Sequence, residues 1–213
     1  MSLRSYSLRT RSAAVVVTAG LLSLTGAAVA AGTASADAPA IAGPVTKSVT
    51  FSCEFPLVGV KKVPVDVSLN FPDSGKVGEV IQVTDLKVDG KLDADITSAM
   101  QLIGAKTVEA TDVSTDVDVK INDTELGVTL NGLNMPQVPV PDSGDTPFSI
   151  FGPIPGLTVK SPGSVSFAIG KKFVAQKVTP KDANGQPTDL GTFPLNCTQD
   201  EGQDTALATI PVS

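Results

Sequence analysis

The chain contains no histidine and no tryptophan, and its single tyrosine, Tyr6, and its three arginines, Arg4, Arg9 and Arg11, all sit at the extreme N-terminus. Each absence removes a chemistry. Without histidine there is no Ser–His or Cys–His nucleophile pair and no imidazole metal ligand. Past residue 11 no guanidinium remains to clamp a phosphate or carboxylate bidentately. Sugar-stacking platforms of Trp or Tyr are missing too, leaving eight phenylalanines as the aromatic content. No run of basic residues occurs, so nucleic acid and anionic membrane surfaces are poor candidate partners. What survives for catalysis is a carboxylate pair of the glycosidase kind or a Ser–Lys dyad, and neither announces itself locally. The expectation is a chain that is not an enzyme, with no cofactor, and a carboxylate-dependent hydrolase as a remote alternative.

The first 36 residues read as a signal peptide. Three arginines precede an apolar run over Ala13–Ala31, and Ala34-Ser35-Ala36 offers a small-x-small cleavage pattern ahead of Asp37, with Ala28-Val29-Ala30 as an alternative cut. No transmembrane segment is expected beyond it. Removing the leader leaves 13 Lys against 22 Asp and Glu, a net charge of −9. Cysteine is limited to Cys53 and Cys197. In an exported protein two cysteines point to a disulfide rather than a metal or redox site. Joined, they would enclose nearly the whole exported chain in one loop, adding about 5 kcal/mol in a chain-entropy model.

Residues 37–46, rich in Ala, Pro and Gly, read as a flexible tail, with structure starting near Lys47. Val49, Phe51, Cys53 and Phe55 alternate with polar residues, as do Val63, Val65, Val67, Leu69 and Phe71. Such period-two patterning belongs to half-buried strands, with Cys53 on the inward face. A third strand is expected over Glu79–Val88, ended by Asp89-Gly90. The period then changes: Leu92, Ile96, Ala99 or Met100, and Ile103 predict one short helix before Gly104. Extended structure resumes over Lys106–Thr111, Val113–Ile121 and Leu126–Leu130. Residues 131–156 carry six prolines and predict a loop, a polyproline-like edge, a crossover or a linker. Further strands are expected over Leu157–Lys160, Val165–Ile169, Phe173–Val178 and Leu207–Val212. Short strands with regular turns describe an all-β chain, an antiparallel immunoglobulin-like β-sandwich with at most one short helix, forming a single domain over 47–213. The antibody framework tryptophan is missing, so the likeness is one of architecture.

Asp89, Asp93 and Asp95 cluster near a turn but lack the spacing of a calcium loop, and whether they hold calcium stays open; Asp116 and Asp118 read as a solvated strand face. Phe148 and Phe151, inside the proline-rich segment, are the candidate interaction residues. Two Asn-x-Thr sequons, at Asn122 and Asn196, read as turn residues.

Thr50-Phe-Ser-Cys-Glu-Phe-Pro-Leu57, Leu102-Ile-Gly-Ala-Lys-Thr-Val-Glu109, Thr179-Pro-Lys-Asp-Ala-Asn-Gly185 and Cys197-Thr-Gln-Asp-Glu-Gly-Gln-Asp204 together resemble motifs of a secreted actinobacterial family of unknown function. The resemblance covers almost the entire exported chain. It implies a β-sandwich with a Cys53–Cys197 bridge, found alone or ahead of other extracellular domains, and it supplies no catalytic residues. The functional expectation is a secreted, non-catalytic interaction or structural module whose partner is an extracellular or cell-envelope protein or polymer, with noncovalent wall association left open. The alternative is a secreted carrier of a small ligand or lipid.

Overall fold

The computed structural model describes residues 43–213. The signal peptide read over 1–36, and residues 37–42 of the expected tail, lie outside the described residues.

The alternation in the first apolar runs builds a long hairpin. Strand β1 (Gly43–Phe55) pairs with β2 (Gly59–Phe71) in unbroken register from Gly43↔Phe71 to Phe55↔Gly59. β1 thus starts at Gly43 rather than near Lys47. Val49, Phe51, Cys53 and Phe55, with Val63, Val65, Val67, Leu69 and Phe71, are buried as their period requires. Lys62, Pro64, Asp66, Ser68 and Asn70 point the other way.

The expected third strand divides into β3 (Val80–Ile81) and β4 (Thr84–Leu92). Asp89-Gly90 does not end it: Gly90 lies mid-strand, between Val65 on β2 and Phe148 on the strand beyond. Glycine is needed here because a Cβ would lie 2.4 Å from the Phe148 ring and 2.9 Å from a Val65 methyl. The ring covers the bare backbone instead, as aromatics do beside strand glycines. Gly90→Ala is expected to lower stability by about 1–3 kcal/mol, overpacking outweighing the backbone benefit of alanine. A urea midpoint equal to or above that of the parent would contradict this.

The helix α1 (Ala94–Leu102) forms where the period changed. Asp93 caps it by accepting the Ile96 N–H. Its exit is a Schellman motif: Gly104, at φ +76°, donates to the Gln101 carbonyl and Ala105 to that of Met100. Ile96, Thr97 and Met100 face inward.

The remaining strands are β5 (Thr107–Ile121), β6 (Thr124–Pro139), β7 (Thr146–Phe151), β8 (Leu157–Thr158), β9 (Gly163–Lys181), β10 (Phe193–Gln199) and β11 (Ala206–Val212). The main sheet runs β10-β1-β2-β4-β7-β6-β5-β9-β11, and β10 also pairs with β9. That second pairing closes an eight-stranded antiparallel barrel, which β11 extends along β9. The expected immunoglobulin-like sandwich is therefore incorrect. A sandwich needs two sheets, whereas this chain curls one. β5 and β9, each expected as two short strands, are single strands of 15 and 19 residues bent by register shifts. At one shift Gly170 lies against the Asp116 backbone, where a Cβ would come within 2.7 Å. Bulges and close glycine contacts of this kind let a sheet curve round on itself.

The proline-rich segment is likewise part of the wall, supplying the end of β6 and all of β7. Its prolines act more locally. Among the described residues β6 and β7 share one register pair, Asn134↔Phe151. Pro136, Pro139 and Pro147 along that boundary have no N–H to give to a ladder.

Closure between β1 and β10 is also short, with Phe51↔Gln199, Ser52↔Thr198 and Cys53↔Cys197 as its register pairs. Side chains reinforce it. The Cys53–Cys197 disulfide spans the two strands, with Cα atoms 4.0 Å apart. The Gln203 side-chain amide takes the place of a strand peptide, accepting the Thr50 N–H at 2.7 Å and donating to the Thr50 carbonyl at 2.9 Å. Asp200 accepts from Ser52 Oγ at 2.6 Å and from the Lys62 ammonium.

Lys62 first, and then Ser52, hold the Asp200 carboxyl below its ordinary range. Asp89 is lowered by Ser149 and then Lys87, and Asp204 mainly by Lys47. Carboxyls that ionise more readily folded than unfolded contribute stability that is whole above the unfolded value near ~4 and lost as pH falls through the folded one. The urea midpoint is therefore expected to hold level above about pH 5 and to drop below about pH 4, less steeply in Asp200→Asn. A midpoint that rises on acidification would contradict the assignment.

Candidate functional site

The two inward faces that alternation predicts meet in one interior. Near its centre is a cavity of about 110 Å³, lined by Phe51, Val65, Val113, Leu133, Phe148 and Ile169 among others, with the cystine in its wall. Toward β3 and β8 lies a second apolar space of about 150 Å³ under Ile154 and Leu157, sharing Val117 and Leu207 with the first. Toward α1 a third, of about 40 Å³, shares Phe55, Leu92, Val108 and Val178 with the central one. The three form a row down the barrel.

This interior offers almost nothing polar. Apart from the cystine, Thr115 and Asp116 are the polar residues that border the central cavity. Both are engaged elsewhere: Thr115 donates to the Lys172 carbonyl at 3.2 Å, and Asp116 accepts from Thr129 Oγ1 at 3.0 Å. Both ends are covered. α1 closes one, held by the buried Thr97–Thr146 hydroxyl pair at 2.8 Å. The 154–157 segment and the β3–β8 ladder cover the other, tied by the Gln82 side-chain N–H to the carbonyls of Val83 and Ile154, each at 3.0 Å.

Outside the wall, a groove of about 600 Å³ crosses from β1 to β6. Along it Ser48 donates to Asp66 and Ser149 to Asp89, with Asp66 and Asp89 as register partners. Asp66 and Asp89 thus form a carboxylate pair of the kind the hydrolase alternative needs. It is poorly matched to general acid catalysis, which needs a carboxyl with a raised pKa, because Asp89 is shifted the other way.

The expected interaction residues separate. Phe148 turns inward and lines the central cavity, while Phe151 stays 42 % exposed over the outer groove. Neighbouring β-strand residues three apart face opposite sides, which the segment's reading as a loop concealed. Asp89, Asp93 and Asp95 have separate partners: Ser149 and Lys87, the α1 N-terminus, and Lys61. No group of three or more Asp, Glu, His or Cys side chains positioned for a metal occurs among the described residues. Asn122 accepts the Ser164 N–H and donates to the Pro162 carbonyl, a turn role as read, whereas Asn196 lies within strand β10 opposite Val174 and not in a turn.

Residues 50–208 match the model of a family of unknown function, DUF6801. The chain belongs to the DUF6801 family. The match opens in β1, where it meets β10, and ends in β11, so it takes in both cysteines and the entire row of apolar spaces. Comparison with curated proteins and with solved structures finds no match in either. Two features of this DUF6801 barrel bear on its surroundings. No helix among the described residues is long and apolar enough to cross a membrane. The wall is apolar inside and carries Ser, Thr, Asp and Lys outside, the reverse of a transmembrane barrel.

Proposed function

We propose that this protein is a secreted, non-catalytic barrel that carries a small apolar ligand in its interior. The observation that carries the reading is the row of apolar spaces enclosed by a closed wall. An eight-stranded barrel is wide enough either to be filled by its own side chains or to hold one small ligand. A dry apolar cavity of about 150 Å³ is enough to take benzene. Export is supported by the leader pattern, the buried disulfide and the polar outer face.

The test is a titration of the oxidised protein with benzene, followed through methyl NMR signals. Saturable shifts in interior methyls, those of Leu130 and Ile154 at the larger space or of Val113, Leu133 and Ile169 at the central one, are expected with a rise in Tm, since a ligand bound only by the folded state stabilises it. Shifts confined to surface methyls such as those of Val60 and Leu102 would overturn the reading.

One observation favours a second function, that of a module binding an extracellular or cell-envelope partner. Phe151 is exposed beside Pro136, Val138 and Pro147 in the outer groove. Saturable capture of an envelope component that is lost in Phe151→Ala, without any interior shifts, would support this module instead.

A further inference from the structure

We infer that the interior takes a slim, uncharged hydrocarbon chain and loads it sideways, through the seam between β6 and β7. This rests on the carrier reading and specifies its ligand and route. The ligand class follows from the lining. A charged or hydrogen-bonding group placed inside would lose its water among a lining that is almost wholly apolar, with the Asp116 carboxylate bonded to Thr129 at an exposed position. Burying an unpartnered polar group costs about 2–7 kcal/mol, and an unpaired charge far more. The shape follows from the spaces themselves, about 110 Å³ at the centre with about 150 Å³ and 40 Å³ in line on either side. An unbranched chain fits a row, whereas a fused ring system does not.

The route follows from what each boundary would lose on opening. Lifting α1 breaks the Thr97–Thr146 pair and the bond from Gln101 to the Pro141 carbonyl. Lifting the other cover breaks the β3–β8 ladder and both Gln82 bonds. The β6–β7 seam has one register pair to hold it. Continuing that register sets Pro136 opposite Ser149 and Val138 opposite Pro147, and neither proline carries an N–H. The strands can part there with little of a ladder to break. The outer groove lies over this seam, and it shares Val65 and Phe148 with the central cavity. Phe148 lies across Gly90 of β4, and it and Val65 are the side chains common to groove and cavity.

The test uses n-hexane as probe, with exchange rates read from the methyl signals of the cavity. Hexane is expected to bind, and hexanoate and hexylammonium are not; equal binding of the charged pair, or binding of benzene without hexane, would overturn the ligand class. Stapling the seam with oxidised Pro136→Cys/Ser149→Cys, both on the outer face, is expected to slow hexane exchange by about tenfold or more at unchanged affinity. Phe148→Ala, which adds no cysteine, is expected to speed it by a similar factor. Wild-type exchange in both variants, with hexane still bound, would overturn the lateral route and leave the carrier reading standing. Failure of both benzene and hexane to bind the wild type removes the carrier reading itself.

Discussion

Replacing both cysteines, as Cys53→Ala/Cys197→Ala, is expected to lower stability by about 5 kcal/mol, the largest effect of any change considered for this barrel. The two residues are 144 positions apart, so the bond closes a very long loop in the unfolded chain. Domains of ordinary stability have about 5–15 kcal/mol in total, so the variant should be marginal at best. The place of the bond adds to its effect. It spans β1 and β10 where three register pairs close the wall, whereas β1 and β2 pair along their whole length. Loss of the bond therefore weakens a short junction of the wall, leaving it to Gln203, Asp200 and three backbone pairs. Both half-cystines are buried, at 3 % and 4 % exposure. Reductant is accordingly expected to act slowly on the folded protein and quickly once urea opens it. Urea unfolding with and without reductant measures the difference. A loss below about 1 kcal/mol would show that the unfolded chain is already compact without the bond, or that strand pairing alone holds the closure.

The distinction between a sandwich and a barrel was illegible for a physical reason. Val63, Val65, Val67, Leu69 and Phe71 alternate with polar residues in the same way whether the inward face meets a second sheet or the far wall of its own. Period two reports which side is dry and says nothing about what lies across it. The helix was legible because Asp93, the spacing of Ile96 and Met100, and Gly104 act over a single local stretch. The disulfide was legible from cysteine count and context. The proline-rich segment misled because six prolines do oppose a fully paired central strand, but they do not oppose a strand paired on one side. β7 pairs with β4 from Lys87↔Phe151 to Leu92↔Thr146, so Pro147 has a partner strand on that edge and a sparse seam on the other. The fold keeps the proline rule and moves it from the segment to the seam. The candidate site was the least legible part, since its lining residues are ordinary core residues one at a time. Only closure turns Val113, Leu133, Phe148 and Ile169 into a common wall.

Leu133 is where the cost to stability and the proposed ligand site can be separated. Its side chain is fully buried, at 0 % exposure, and lines the central cavity. Leu133→Ala is expected to destabilise the protein by about 2–5 kcal/mol, the range for buried leucines whose surroundings relax only partly. The upper part of that range is expected here. Gly152 lies against the Leu133 backbone, where even a Cβ would come within 2.8 Å of the Leu133 Cα, so the strand has no room to move in on that side. The space released should remain open and merge with the central cavity. If that cavity is a ligand site, the variant should take a bulkier apolar probe than the wild type, naphthalene in place of benzene, and regain part of the lost stability as the probe saturates, through RT ln(1 + [L]/Kd). A large loss with no recovery would mark Leu133 as packing alone, and the central cavity as a gap the fold tolerates rather than one it uses. A loss below about 1 kcal/mol would mean that the wall collapses inward, against the close contact at Gly152. Thermal unfolding of parent and variant, each with and without saturating probe, yields both quantities from one set of curves.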